Sequence, residues 1–532
     1  MTGTSEDRPS LSDPADVIVV GSGAAALTAA ITAHDNGARV TVVERTSSIG
    51  GTTAVSGGGI WMPQNHHMAS LGIDDSRQEA LAYMLRMTAG RTPVELLERY
   101  VDEGPGIVAD LEKRTQLRLQ PMSWPDYHPE MDGAKSSGRM LEPALFDTTV
   151  LGAWADTLRR PPVLGMPITL QEATVEWQPT YYPDRFDADE VQRRMAAHRV
   201  ACGQALIAAL LDACLIRGIE PVLEARACEL AMQGDRVTGL VVDHGGRRTA
   251  VPAPSVVLAS GGYEWNPTLR DRFLGGPLTH PHTPPANEGD GLLMAMEVGA
   301  DLANMTEAWW YPASSVPGEE YEGRPLARFV GVERTAPHSI IVDRFGSRFV
   351  NEAANYNDMQ KAFFSFDANE YASRHLPCWV VFDHQYRSRY GAATVGIDPQ
   401  GLAGTIERWN RLVRDGKDQD FGRGASAYDR FHGDPTAPHP NLGTIEQGPY
   451  YALPVHIGSV GTKGGPRVDG HGRVQHVRDR PVPGLYGAGN VIASPAGPAY
   501  YGGGTSIGMG VVWGHLAGSH AASHAMTGGS SR

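Results

Sequence analysis

Cysteine is scarce in this chain: 532 residues carry 4, Cys202, Cys214, Cys228 and Cys378, with no CxxC spacing among them. That excludes a disulfide framework and a zinc ribbon, and it predicts packing residues in a reducing, cytoplasmic setting. Positive charge is in deficit as well. Lys plus Arg number 46 against 60 Asp plus Glu, a formal net charge of -14, which argues against nucleic acid or an anionic membrane as the main partner. The start of the chain, MTGTSEDRPSLSDP, lacks the basic region and apolar core of a signal peptide. No apolar run reaches transmembrane length, and no internal repeat is present. What is present is a chain 41% hydrophobic, long enough for about two to four domains.

One stretch organises the rest, residues 15–59, ADVIVVGSGAAALTAAITAHDNGARVTVVERTSSIGGTTAVSGGG. Asp16 to Val20 reads as a strand buried on both faces, and it feeds Gly21-Ser22-Gly23-Ala24-Ala25-Ala26, a GxGxxA turn. Gly21 permits the tight turn, Gly23 lets the backbone approach a pyrophosphate, and Ala26 keeps the following helix close to the sheet, with its first amides toward the phosphates. A second strand, Arg39 to Val43, delivers Glu44 and Arg45, about 20 residues after the glycines, where a ribose hydroxyl needs an acceptor. An acid there favours a free 2′-hydroxyl over a 2′-phosphate. The continuation through Gly50, Gly51, Thr52, Ser56, Gly57 and Gly58 supplies small residues under a larger dinucleotide, and it resembles the FAD-binding segment of flavoproteins that include fumarate reductase flavoprotein subunits and 3-ketosteroid dehydrogenases. No histidine stands in TTAVSGGG, where covalently flavinylated relatives carry one, so the expected FAD is non-covalent.

Farther along, Ser76 to Arg86 and Pro93 to Leu117 have helical spacing. Residues 118–187 are irregular and rich in Pro, Gly and aromatics, which in a large domain suggests function. Val191 to Ile216 reads as one helix, Ile219 to Leu223 as a strand, and 223–242 as an antiparallel hairpin. Ser255 to Ala259, followed by Ser260-Gly261-Gly262, reads as a strand returning to the cofactor. Asp290 in NEGDG is either a helix N-cap or a cofactor contact as well. From about 301 to 448 the βα alternation is lost, which predicts an inserted domain. The expected fold is α/β: a Rossmann-like FAD-binding domain from 15–300 and 449–525, an inserted α+β substrate cap over 301–448, and flexible tails at 1–14 and 526–532.

The blocks WPDYHPE (124–130), RFVNEAANY (348–356), FGRGASAYD (421–429), GPYYA (448–452), GTKGG (461–465), GLYGAGN (484–490) and YYGGGTSIG (500–508) make the chain similar to the 3-ketosteroid Δ1-dehydrogenases over nearly all its length. The resemblance implies that three tyrosines and one glycine amide surround a flat ring ketone stacked on the flavin. Motif by motif these are Tyr127, Tyr356, Tyr500 and Gly504. It also implies cofactor contacts at Ala225, Ala259, Gly261, Asp290, Gly489, Asn490, Ser506 and Ile507. Tyr181 and Tyr182 compete with Tyr127, and Tyr501 with Tyr500, for the same roles. Trp309-Trp310-Tyr311-Pro312 is expected either as a wall of the substrate cavity or as a core cluster. His456, Pro466, Pro495 and Pro498 depart from the family pattern; they leave the reaction type intact and the ketone open.

The implied reaction removes a proton from the carbon next to a ketone and delivers a hydride from the next carbon to flavin N5. Tyr356 is the expected base, with Tyr127 assisting its ionisation, and Tyr500 with the Gly504 amide the expected oxyanion hole. The implied partners are a small cyclic ketone, a steroid among the candidates, and an external electron acceptor, with no metal. Two other functions compete: an ene-reductase of the fumarate reductase type, for which Arg423 and Lys463 are the nearest cations, and a non-catalytic FAD-binding protein. A desaturase of a non-steroid ring ketone is a variant of the first reading.

Overall fold

The computed structural model describes residues 14–391 and 399–528, together with Leu11. Of the tails expected at 1–14 and 526–532, residues 526–528 belong to the last helix; the rest, Leu11 and Pro14 apart, lies outside the described residues.

Val17–Val20 is buried along its whole length. It pairs in parallel with Val40–Val43 on one side and Ser255–Leu258 on the other. Arg480–Gly487 extends the sheet in parallel, and Arg473–His476 closes it as an antiparallel edge. Continuous Val and Ile runs suit strands covered by helices on both faces. The strand expected at 219–223 reduces to a single bridge, Val43 to Val222, because Pro221 has no N–H for a ladder. The expected hairpin grows into three strands, Ala225–Gln233, Arg236–His244 and Arg247–Pro252. The helix expected from 191 to 216 is two, Ala188–Ala196 and Cys202–Ile216. Between them Arg199–Val200 pairs with Phe146–Asp147, and positive φ at His198 (53°) and Cys202 (55°) ends helical geometry there.

A second sheet is built on Tyr451–Thr462, a long strand whose first half pairs with Cys378–Phe382 and whose second half pairs with Ala308–Ser314. Ser339–Asp343 and Arg328–Phe329 lie outside these, and His280–Pro281 also joins the long strand. Pairing therefore crosses the limits of 301 and 448 read from composition, since both His280–Pro281 and Tyr451–Thr462 are strands of this sheet.

The two ends of the described chain meet in one helix pair. Thr505–Gly528 packs on Ala24–Asp35, and glycines set the distance: a Cβ on Gly514 would stand 2.4 Å from the Ala25 carbonyl oxygen, and one on Gly518 would stand 2.4 Å from that of Ala29. Only backbone fits at that separation. Gly518→Ala should therefore cost about 1–3 kcal/mol, the usual range for overpacking a tight contact, measured as a lower denaturant midpoint with an unchanged m-value; an unshifted midpoint would show that the helices can separate freely.

Candidate active site

The first sheet ends in a cradle. Ser22 Oγ donates to Glu44 Oε2 at 2.6 Å and accepts from the Gly50 amide at 3.0 Å. Glu44 Oε1 takes the Thr46 amide at 2.8 Å. These bonds fix the orientation of the carboxylate at the strand end, where its oxygens can accept from a sugar hydroxyl. The helix Ala24–Asp35 starts from Gly23, which has no capping side chain of its own, and the Ala24 amide donates to Thr53 Oγ1 at 3.2 Å; the positive end of its dipole lies at the cavity wall, where it suits a phosphate.

From this cradle one cavity runs to the aromatic cluster of the second sheet. It is lined by every residue expected at the cofactor or at the chemistry with one exception, Gly50. Gly50 sits behind the wall with φ of 115° and acts through Ser22 instead. Asp290 lines the cavity but is not an N-cap: Gly289 holds that position, and the Asp290 carboxylate pairs with Arg45 at 3.1 Å and Arg226 at 2.7 Å. Its neighbours Ala225 and Arg45 put it at the Glu44 end of the cavity.

At the other end Tyr127 Oη donates to Tyr356 Oη at 2.6 Å. Tyr500 stands over both, with ring centroids 4.9 Å from Tyr127 and 5.7 Å from Tyr356. A helix and a loop bring Tyr356 and Tyr127 together. Tyr356 opens the short helix Tyr356–Lys361, whose N-cap Asn355 accepts the Asp358 amide. Tyr127 lies in a loop whose amide bonds the Tyr501 carbonyl at 2.9 Å. That loop is anchored by Asp126, which receives the buried Arg139 guanidinium at 2.8 Å and the Trp61 indole at 2.7 Å. Burial pushes the Tyr127 and Tyr356 phenols well above their ordinary range, and for Tyr356 the hydrogen bond from Tyr127 works in the opposite direction. Burial raises Tyr500 too, opposed by the hydroxyls of Tyr356, Ser506 and Tyr127.

Gly504 faces the same space. Its φ is 91°, and a Cβ there would meet the Gly59 carbonyl carbon at 2.4 Å, so only glycine fits at this point. Its amide finds no partner among the described residues. Tyr501 is buried elsewhere, its ring 5.1 Å from Trp61, which assigns the cavity to Tyr500. Tyr181 and Tyr182 do not line it.

The WWYP segment divides its residues, as strand alternation requires. Tyr311 lines the cavity, Trp309 packs on Tyr500 with centroids 4.8 Å apart, and Trp310 enters the core of the second sheet. His456 stacks on His280 at 4.0 Å outside the cavity. Among the lining residues that sequence reasoning did not find are Arg159, His282 and Phe329; they come from loops and a two-residue strand with no periodic signal. The cavity's two arginines, Arg45 and Arg159, belong to the Glu44 end: Arg45 pairs with Glu288 and Asp290, and Arg159 pairs with Glu322 and donates to Thr46 Oγ1 at 2.8 Å. Arg423 is buried away from the cavity, bonding the carbonyls of Ser339 and Ala336 at 2.7 and 2.8 Å. Lys463 lies behind the tyrosines, its Nζ on the Ala499 and Pro498 carbonyls at 2.8 and 3.2 Å, and burial lowers its pKa to about 7.

Residues 16–507 match the family described as the FAD binding domain. The chain belongs to this flavoprotein family. It is 39% identical to the 4-oxocyclohexanecarboxylate 2-dehydrogenase of Sinomonas cyclohexanicum, over 94% of this chain and 92% of that one. It is 34% identical to the 3-oxosteroid 1-dehydrogenase of Mycolicibacterium smegmatis, over 94% and 96%. The crystal structure of 3-ketosteroid Δ1-dehydrogenase from Sterolibacterium denitrificans in complex with 1,4-androstadiene-3,17-dione superposes with a TM-score of 0.88 at 34% identity, covering 96% of this chain and 99% of that one. The flavoprotein is an FAD-dependent oxidoreductase acting on CH–CH groups. The cradle fits that cofactor: a helix N-terminus at the cavity wall for the pyrophosphate, Glu44 for a ribose hydroxyl, and a cavity that reaches the tyrosines. Glu44→Ala should weaken FAD retention roughly 10-fold to 100-fold, as expected for losing one hydrogen bond to a charged group, read as the FAD dissociation constant in a titration of apoprotein. An unchanged constant would mean that Glu44 serves only Ser22 and Thr46.

Proposed function

We propose that this enzyme introduces a C=C bond next to the carbonyl of a ring ketone. The reading is carried by one observation, the Tyr127 to Tyr356 hydrogen bond of 2.6 Å, made in the cavity that Tyr500 and the free Gly504 amide also line. Tyr356 Oη removes the proton from the carbon next to the carbonyl, and the donated Tyr127 hydroxyl stabilises the Tyr356 phenolate that does so. As that C–H bond breaks, charge moves onto the ketone oxygen. Tyr500 Oη and Gly504 N–H receive it, two donors fixed before the reaction starts. Bound FAD supplies the acceptor for the hydride leaving the next carbon. The surrounding rings exclude water and hold a flat substrate in place. Turnover then requires an external electron acceptor, and the flavin is held without a covalent link.

An ene-reductase handling a dicarboxylate needs cations where the substrate lies, and the arginines of the cavity sit at its other end, each already paired. Relatives named for a small ring ketone acid and for steroids both fit the desaturase reading.

Tyr356→Phe keeps the ring and removes the proton acceptor, so flavin reduction by a ring ketone should slow roughly 10²-fold to 10⁴-fold, the usual contribution of a general base. Because burial raises the Tyr356 phenol, the base is protonated at neutral pH and the wild-type reduction rate should climb through the alkaline range without levelling near pH 7. Tyr127→Phe removes the donated hydrogen bond and should displace that climb to higher pH. Anaerobic stopped-flow mixing reads all three, and a Tyr356→Phe enzyme that reduces its flavin at the wild-type rate would remove Tyr356 from the mechanism.

A further inference from the structure

Among the described residues the buried arginines meet carboxylates, with one exception. Arg139 pairs with Asp75 and Asp126 at 2.6 and 2.8 Å, Arg159 with Glu322, and Arg423 with Glu352 at 3.4 Å. Arg334, 1% exposed, bonds main-chain oxygens instead. Its Nε donates to the Val330 carbonyl at 3.1 Å, and its Nη1 donates to the carbonyls of Glu352 and Ala354, the latter at 2.8 Å. Burial works against this charge, yet a guanidinium keeps its proton inside a protein. Carbonyl dipoles solvate the cation without neutralising it, and a buried charge left uncompensated is costly.

That charge is packed around the residue proposed as the base. Ala354, which takes one of its bonds, stands two residues ahead of Tyr356. Met359, in the first turn of the helix Tyr356–Lys361, places its Sδ 3.8 Å from the same Nη1. Arg334 Cζ lies 5.8 Å from the centroid of the Phe329 ring, and that ring is 5.3 Å from the ring of Tyr356. Phe329 lines the cavity and Arg334 does not.

We propose that Arg334 is the counter-charge of the Tyr356 phenolate: the anion that this buried cation lacks in the resting protein is the one formed when the base ionises. The assignment rests on the ring-ketone reading above, in which Tyr356 removes the proton. Because Arg334 lies outside the cavity, it is a positioning residue that acts through Tyr356. Desolvation opposes ionisation of a buried phenol, and a fixed positive charge close by offsets it. Other groups face Tyr356 from each side. Tyr127, Tyr428 and Tyr500 are phenols that burial keeps protonated at neutral pH. On its own helix Asp358 is paired with His128 at 2.9 Å and with Lys361 at 3.4 Å, and Lys463 lies 5.9 Å from the Tyr500 ring centroid. Asp429, next to Tyr428, acts on the Arg334 charge from the other direction. Its own oxygens accept from neutral donors, the Asn351 side chain and the Gly424 amide at 2.9 Å each and the Ser426 hydroxyl at 2.7 Å.

The test is the pH profile of flavin reduction in the FAD-loaded enzyme, mixed anaerobically with whichever of 4-oxocyclohexanecarboxylate and 4-androstene-3,17-dione reduces the wild type. Against burial, the carboxylates of Asp358 and Glu130 raise His128 to about 9, and burial lowers Lys463 to about 7. Both titrate in every variant, so the readout is the displacement of the alkaline climb from one variant to the next. Arg334→Gln removes the charge and should displace the climb upward by about one pH unit, a roughly 10-fold slower rate at a fixed pH on the rising limb. Arg334→Lys keeps the charge and should undo most of that displacement. Asp429→Asn should move the climb the other way, to lower pH, which damage to packing would not do. A climb that stays at the wild-type pH in Arg334→Gln overturns the proposal, and so does a rate lowered equally at every pH, the mark of a residue that only ties carbonyls together. Should Arg334→Gln fail to fold or to hold FAD, Asp429→Asn decides, and an unmoved climb there overturns the assignment. In each of these cases a Tyr356→Phe enzyme that is still slow leaves the base in place and removes only the role of Arg334. If neither ketone reduces the wild type, the ring-ketone reading falls and the counter-charge with it.

Discussion

The close approach of two helices from opposite ends of the chain is the constraint on which the rest depends. Ala24–Asp35 begins at the phosphate end of the cradle, and Thr505–Gly528 begins directly after Gly504. With Gly514 and Gly518 seated against the Ala25 and Ala29 carbonyls, neither helix can slide along the other without a steric clash. The start of one therefore fixes the start of the other, and Gly504 is held in register with the cofactor cradle. Tyr500, five residues ahead of the helix, is steadied from behind by Lys463, which bonds the Ala499 and Pro498 carbonyls, while Lys361 takes the Pro498 carbonyl as well.

The second sheet has a different task. It closes one side of the cavity and brings Tyr356, the proposed base, to it. Tyr356 follows the segment in which Glu352 meets Arg348 at 2.7 Å, and Arg348 in turn meets Asp418 at 3.1 Å, a buried charge cluster whose members are all paired. Breaking such a cluster is costly because a charge is left buried alone. That stiffens the segment before Tyr356, and rigidity matters where its hydroxyl must meet that of Tyr127 at 2.6 Å.

The cofactor cradle was legible in the sequence because its signals are local: a buried strand, glycines at fixed spacing, and an acid at the next strand end all lie within residues 16–44. The tyrosines were legible through the motifs that carry them. Other features were not. Tyr451–Thr462 has no alternation and contains Pro454, since it is covered on both faces for much of its length and bends between two partners. The Asp290 side chain reads equally well as a cap or a contact until its distances to Arg45 and Arg226, far away in sequence, are known. His282, Phe329 and Tyr311 come from a loop, a two-residue strand and a buried strand; nothing in their neighbours marks them as facing one cavity.

The electrostatics of the tyrosine end explain why the site is built from hydroxyls and an amide instead of cations. A guanidinium beside the ketone would stabilise the enolate, but it would also hold carboxylates tightly at the reacting carbons and pin the substrate the wrong way round. Beside Tyr500 and Gly504 the positive potential comes from the helix Thr505–Gly528, whose N-terminal end lies immediately beyond Gly504, and a helix N-terminus favours negative charge without offering a mobile counter-ion. Lys463 adds to it from behind Trp309, its Nζ 4.2 Å from the indole centroid and 5.9 Å from that of Tyr500. Because burial brings this ammonium to a pKa of about 7, the potential at the proposed oxyanion site weakens as pH rises past neutrality, while Tyr356, the proposed base, gains activity over the same range. The two trends oppose each other, and the alkaline climb in rate should be shallower than one proton lost from one phenol would give.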